Sequence, residues 1–381
     1  MKKIIGFMVS LIMLMSLVLT GCASSSSSKD DKSATGTTST AKKIKVGFIY
    51  VGPVGDGGYT YAHDQGRKFL EKQLGDKVET SILESVKEDT SEVDKACEQM
   101  ISNGVTVIFG TSFGFMEGLV KSAKKHADVK YFHCSGFMLE PNMSNYFGRD
   151  YQARYLSGIV AGMKTKSNKI GYVAAMEIPE CIRGINAFTL GVQSVNKDAV
   201  VKVTWTNTWY DPAKEKEAAK ALLDQGADII AQHQDTTGPQ IAAEEKGAFS
   251  IGYNSDMSKA APKAYMTAPI WNWGPYYVDQ VQKVIAGKFK SESYWGAMDA
   301  DDAKSIIYLA PLTKVAPEGA KAKVDAAKAD IISGKNKVFA GPLYDNKGTL
   351  KVKEGEAMED KDMLTFNWFV KGVEGKLTKA K

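Results

Sequence analysis

The sequence predicts an α/β protein of two similar lobes, each a parallel sheet covered by helices, with a ligand cleft between them. Three observations lead there. From Lys43 onward, short apolar runs alternate with longer amphipathic stretches, the pattern of β-α-β units. The alternation restarts near residue 169 with a similar spacing. The chain has 381 residues, 44% hydrophobic and 24% charged. That suits two globular domains and excludes disordered, collagen-like and disulfide-scaffold chains.

The N-terminus reads as an address. Lys2 and Lys3 precede an apolar run from Ile4 to Leu19, and Thr20, Gly21 and Cys22 follow. These are the parts of a secretory signal, and the run is too short to favour a membrane span. The ending Leu19-Thr20-Gly21-Cys22 resembles a bacterial lipobox, which implies cleavage before Cys22 and a lipid on its sulfur. The alternative is an ordinary signal peptide with an incidental cysteine. Residues 23–42 are rich in Ser and Thr and almost free of large apolar side chains, so they are expected to form a flexible tether. Residues 1–21 are thus expected to be a signal peptide, and 22–43 a lipidated cysteine with its tether. Removing residues 1–21 deletes two lysines and takes the side-chain charge from +5 to +3. So weak a charge does not argue for nucleic-acid binding. Cys97, Cys134 and Cys181 are expected to be buried thiols, with one disulfide as the alternative.

The first lobe opens with a strand over 44–50 and a helix over 60–73. Strands are expected at 78–83, 105–109 and 129–133. Val93, Cys97, Met100 and Ile101 share one helical face. The second lobe repeats the order, with strands at 169–174, 200–206, 228–232 and 249–253 and a helix over 181–195. Strand starts at 44, 78, 105 and 129 are spaced by 34, 27 and 24 residues. Those at 169, 200, 228 and 249 are spaced by 31, 28 and 21. Gly104 and Gly226 both stand where a helix C-cap glycine belongs. The lobes are assigned as 44–150 plus about 272–292, and 151–271 plus about 293–381, with the boundary near 150–168. Helices are expected over 274–287 and 315–334. Phe366, Trp368 and Phe369 read as a terminal strand or a packing patch.

In open parallel sheets, ligands bind beyond the carboxyl ends of the strands. The loops to inspect follow Tyr50, Phe109, His133, Thr206, Ala231 and Tyr253. The first, Gly52 to Thr60, lacks both the dinucleotide fingerprint and a P-loop. Its glycines allow a tight turn that presents Tyr59 to the cleft; packing of Tyr59 on the lobe surface is the other reading. Phe113, Phe115, Trp205, Trp209, Trp271 and Trp273 bring flat rings to these loops. Rings at several positions suit a flat ligand, although each alone also suits core or hinge packing. Asp56, Thr60, Gln234, Asp235, Asp256 and Asn272 supply directed polar contacts. Asp211 has a local role instead, as N-cap of the helix that Pro212 opens. The four histidines lack metal-ligand spacing, and no nucleophile elbow is present. No metal, cofactor or catalysis is expected.

The motifs together resemble the basic membrane protein family of bacterial lipoproteins, similar to the purine-nucleoside receptors of ABC transporters. Gly55-Asp56-Gly57-Gly58-Tyr59-Thr60, Arg183-Gly184-Ile185-Asn186-Ala187-Phe188, Thr208-Trp209-Tyr210-Asp211-Pro212-Ala213-Lys214 and Gly252-Tyr253-Asn254-Ser255-Asp256 carry the resemblance. It implies the type I periplasmic-binding fold and a purine clamped between Tyr59 and Trp209, with Phe113 or Phe115 beside it. An acid from the first lobe and Asp256 match the family's polar contacts. It also implies an ABC permease partner and anchoring to the membrane through lipid; a monomer with no nucleic-acid partner is expected. Two departures bear on the ligand. Nucleoside-binding members usually carry a lysine where this chain reads Pro269-Ile270-Trp271-Asn272-Trp273, and Gln232-His233-Gln234-Asp235 replaces a smaller loop. A free nucleobase such as adenine is therefore expected over its nucleoside. A sugar receptor of the same fold, a sensory lipoprotein without transport, a gene regulator and an extracellular enzyme are the weaker alternatives.

Overall fold

The computed structural model describes residues 43–378. The expected signal peptide and Cys22 lie outside these residues. The first β-α series runs β1 Ile44–Ile49, α1 Tyr59–Leu74, β2 Val78–Leu83, α2 Thr90–Ser102, β3 Val107–Gly110, α3 Met116–Lys125, β4 Lys130–Cys134 and β5 Met143–Gly148. The second runs α4 Asp150–Lys164, β6 Lys169–Ala174, α5 Pro179–Val195, β7 Val200–Trp205, α6 Pro212–Asp224, β8 Ile229–His233, α7 Gly238–Glu245, β9 Phe249–Ile251 and β10 Tyr265–Thr267. Then come β11 Pro269–Trp271, α8 Gly274–Ile285, β12 Ser293–Gly296, β13 Ile307–Leu309, α9 Ala320–Ile332, β14 Leu343–Tyr344, β15 Leu350–Val352, α10 Asp360–Leu364 and β16 Val373–Glu374.

The two sheets share one topology. The first has the order β12-β5-β4-β3-β1-β2, and the second β10-β9-β8-β6-β7-β16. All neighbours in both are parallel. The strand order of each sheet thus reverses between its first and third strands, where an open sheet leaves a crevice. The repeated spacing in the sequence is this repeated topology. Gly104 and Gly226 terminate α2 and α6 with positive φ, +82° and +93°, as their C-cap reading requires.

Some features differ from expectation. Strand β12 pairs with β5, so the returning chain stays with the first sheet through Gly296, beyond the boundary drawn at 292. Residues 150–164 form a helix rather than a bare boundary. Helix α4 is buried on most sides and lies against α5 at glycine contacts. A Cβ on Gly158 would stand 2.1 Å from the Phe188 carbonyl oxygen, and one on Gly191 would stand 2.0 Å from that of Tyr155. A helix covered all round shows no clean amphipathic stripe, which is why periodicity passes over it. The C-terminal rings form a packing patch: Phe366 and Phe369 are buried, and the final strand is Val373–Glu374, paired with β7. Cys97, Cys134 and Cys181 are free and buried.

Candidate ligand-binding site

The carboxyl ends of both sheets converge on one slot. It is lined by Val51, Tyr59, Ser112, Phe113, Ser135, Glu180, Trp209, His233, Asp235 and Tyr253. Its empty space is about 310 Å³, which includes its opening to solvent.

Each wall is held from behind. The Tyr59 hydroxyl donates to the Thr111 carbonyl at 2.7 Å and lies 3.4 Å from Cys134 Sγ. The edge of the Tyr59 ring meets His63, whose own ring stacks on Trp273. Trp209 is fixed across the lobes. Its indole Nε1–H donates to Glu88 Oε2 at 3.1 Å, while Glu88 Oε1 accepts from Ser112 Oγ at 2.5 Å and from the Gly114 amide at 3.0 Å. Gly114 makes room for this, since a Cβ there would lie 2.6 Å from the Glu88 side chain. Two more contacts close the lobes. Ser255 Oγ donates to the Gly57 carbonyl at 2.5 Å, and Gly58 lies flat on the Asp235 carbonyl.

Residues 43–304 match the family model Bmp, described as ABC transporter substrate-binding protein, PnrA-like. The chain belongs to this family. A purine-binding protein of Brucella abortus (strain 2308) is 44% identical over 336 residues, 88% of this chain and 94% of that one. A protein of Haloferax volcanii, provisionally named as an ABC transporter glucose-binding protein, is 35% identical over 342 residues, 90% of this chain and 83% of that one. The solved structure of an ABC transporter solute-binding protein from Aeropyrum pernix K1 superposes with a TM-score of 0.66 at 21% identity, covering 77% of this chain and 92% of that one. That likeness speaks to the fold alone, which is the type I periplasmic-binding fold. This Bmp protein is therefore the substrate-binding component of an ABC transporter, extracytoplasmic and not an enzyme.

Of the residues singled out in the Bmp sequence, Tyr59, Phe113, Trp209 and Asp235 line the slot. The others are placed elsewhere. Asp56 accepts from the amides of Gly58, Thr60 and Tyr61 at 2.8, 2.7 and 2.9 Å, so its carboxylate secures the first turn of α1. Thr60 is buried beneath that turn, against Gly52. Phe115 points away from Phe113 into the core under β3. Trp271 donates to Asn254 Oδ1 at 3.1 Å and stacks on Trp273 at 4.3 Å, a crossover packing role. Asn272 donates to the carbonyls of Asp302, Ala303 and Ser305 and pins that loop. Gln234 is bonded to Thr206. Asp256 is exposed and accepts from the Ser258 amide at 2.9 Å. Asp56, Asn272 and Asp256 are thus engaged by neighbouring backbone, and Trp271 and Gln234 by neighbouring side chains.

The sequence reading passes over Glu180. It sits at the start of α5, in the loop after Ala174, and that loop holds the same place in the second lobe as the Gly52–Thr60 loop in the first. This symmetry was the available signal. Glu180 Oε1 is 3.3 Å from His233 Nε2. Burial, then the charge of Asp150, pushes the Glu180 carboxyl up to about 8. Burial raises the Asp235 carboxyl as well, helped by the charges of Asp56, Glu215 and Glu180. Burial and the cations of Arg154 and Arg183 hold His233 well below its ordinary range. Burial thus favours the protonated form of both carboxyls and the uncharged form of the imidazole. A protonated carboxyl offers one donor beside one acceptor.

This has a stability consequence. The Glu180 carboxyl binds its proton up to about pH 8 in the fold and loses it near 4.5 when unfolded. The folded state binds more protons in that window, so stability falls as pH rises through it, by up to about 1.4 kcal/mol per pH unit. Glu215, pushed up to about 7, and Asp56, up to about 6, act in the same direction. Denaturant titration of the ligand-free protein from pH 5 to pH 8 is expected to show the decline, and Glu180→Gln to flatten it. An unchanged slope in that variant would show that Glu180 is ionised throughout.

Proposed function

We propose that this chain is a lipid-anchored receptor that captures a purine in the slot, takes a free nucleobase such as adenine over its nucleoside, and delivers it to an ABC importer. The observation that carries the reading is a slot walled by Tyr59, Phe113, Trp209 and Tyr253, with the buried carboxyls of Glu180 and Asp235 in its lining, both pushed by burial toward their protonated form. Flat rings gain from offset stacking on a flat heterocycle. An adenine edge sets a ring-nitrogen acceptor beside an amino donor. A protonated carboxyl matches that pair in one contact. The free base has a further N–H where the nucleoside carries its sugar. The 44% identical relative is named for purine binding.

Calorimetry on protein unfolded, refolded and freed of ligand tests this. Adenine is expected to bind much more tightly than adenosine. At 100 times its dissociation constant it is expected to stabilise the fold by about 2.7 kcal/mol. Adenosine binding more tightly than adenine would sink the nucleobase preference. Glucose belongs in the same series because a 35% identical relative is named for it, and buried carboxyls also bind hydroxyl groups. Glucose alone binding would replace the purine.

Among the described residues, no helix is long and apolar enough to cross a membrane. Anchoring then rests on the lipobox-like Leu19-Thr20-Gly21-Cys22. Cys22→Ala is expected to move the protein from the membrane pellet to the soluble fraction. Unchanged sedimentation with the membrane would remove the lipid from the account.

A further inference from the structure

Gly184 belongs to the Arg183–Phe188 motif, and the slot lining makes no use of it. It lies within α5, where a Cβ would have three polar atoms as its nearest neighbours. These are Asp150 Oδ2 at 3.4 Å, Arg154 Nε at 3.5 Å and His233 Nδ1 at 3.5 Å. Asp150 and Arg154 are 0% exposed and His233 is 2% exposed. None of the three atoms has a hydrogen-bond partner in the protein. The ion pairs beside them are long: Arg154 Nε to Asp150 Oδ2 is 3.7 Å, and Arg183 Nη2 to Asp150 Oδ1 is 3.8 Å. Buried polar groups separated in this way mark the place of a bridging water.

We propose that the space above Gly184 is a binding site for one buried water molecule, which joins Asp150, Arg154 and His233 and thereby sets which nitrogen of His233 carries its proton. A water lying just past the Cβ position, clear of the Gly184 Cα, can take up all three of these hydrogen bonds. Arg154 Nε–H can only donate, so the water accepts from it. The water's two hydrogens go to Asp150 Oδ2 and to His233 Nδ1. With Nδ1 accepting, the imidazole proton sits on Nε2. Nε2–H then donates to Glu180 Oε1 at 3.3 Å. One oxygen of Glu180 is thus held as an acceptor, and the other is left for the ligand. A neutral occupant is required, because a carboxylate and a guanidinium face the same point and each repels one sign of ion. Gly184 and His233 become positioning residues for Glu180. The effect on ligand affinity rests on the purine reading; the water site does not.

Gly184→Ala and Gly184→Ser distinguish a water site from a simple need for space. The alanine methyl fills the point and bonds to nothing. The serine hydroxyl can replace the water's hydrogen bonds. Alanine is expected to abolish the water peak in a high-resolution crystal structure and to move His233 off the Nε2–H tautomer in imidazole ¹⁵N spectra. It is also expected to weaken adenine binding roughly tenfold. Serine is expected to keep the tautomer and bind adenine close to wild type. A purely steric role predicts the reverse, with the larger serine worse than alanine. That order, an unchanged tautomer in the alanine variant, or a wild-type crystal structure with no water at this point would overturn the proposal. If alanine prevents folding, the wild-type density and the serine variant decide. If wild type does not bind adenine, the purine reading falls, while density and tautomer still judge the water.

Discussion

Trp209→Ala is expected to weaken ligand binding roughly a hundredfold, as loss of a central aromatic contact does. The substitution removes a slot wall and also an indole hydrogen bond across the lobes, to Glu88. The two contributions are separable. Trp209→Phe keeps a ring and removes the N–H, so it reports the Glu88 contact alone. That contact is partly solvent-exposed and is expected to contribute about 0.5–1.5 kcal/mol. Trp209→Phe and Glu88→Ala are then expected to be non-additive, because each removes the same hydrogen bond. The loss belongs mainly in the dissociation rate, since the bond forms only when the lobes meet. Calorimetry and stopped-flow fluorescence check both points. An unchanged dissociation constant for Trp209→Ala would remove Trp209 from the slot wall.

Gly58→Ala is expected to abolish tight binding by a different route, preventing closure while leaving the slot residues in place. A Cβ at Gly58 would stand 2.0 Å from the Asp235 carbonyl oxygen. Asp235 is backbone of the opposite lobe, so no flexible side chain can move aside. Such overpacking typically costs about 1–3 kcal/mol, which predicts ten- to hundredfold weaker binding. The clash exists only in the closed form, so the open, ligand-free protein is expected to keep its unfolding midpoint. Gly55→Ala in the same loop is the control, because a Cβ there meets nothing within 4 Å. Small-angle scattering is expected to show wild type contracting on ligand addition and Gly58→Ala failing to contract. A Gly58→Ala variant with full affinity would mean that the ligand binds without this contact.

The loops after β1, β3, β4, β7 and β8 were legible because parallel strands announce their own carboxyl ends. The side chains within those loops were less so. Phe113 and Phe115 are two residues apart in one short turn, yet only Phe113 reaches the slot. Nothing in their spacing distinguishes them; the core under β3 claims the second. Asp56 had the chemistry of a ligand contact, but three amides of its own helix turn were closer. Glu180 lies in the first turn of α5, and nothing in its local spacing singles it out. Its environment, with Asp150 and His233 brought in from distant segments, does so.

By itself the sequence determined the two-lobe architecture, the duplicated strand order and the set of loops that face the cleft. Those follow from local periodicity and from glycines at helix ends, which act over a few residues and need no partner. Tertiary structure alone decided which side chains meet in the slot, which carboxyls are pushed toward their neutral form, and why Gly58 and Gly114 must be glycine. Those depend on how closely segments distant in the chain approach and how much water they exclude. Desolvation and close contact belong to the assembled fold, and a linear pattern carries no record of either.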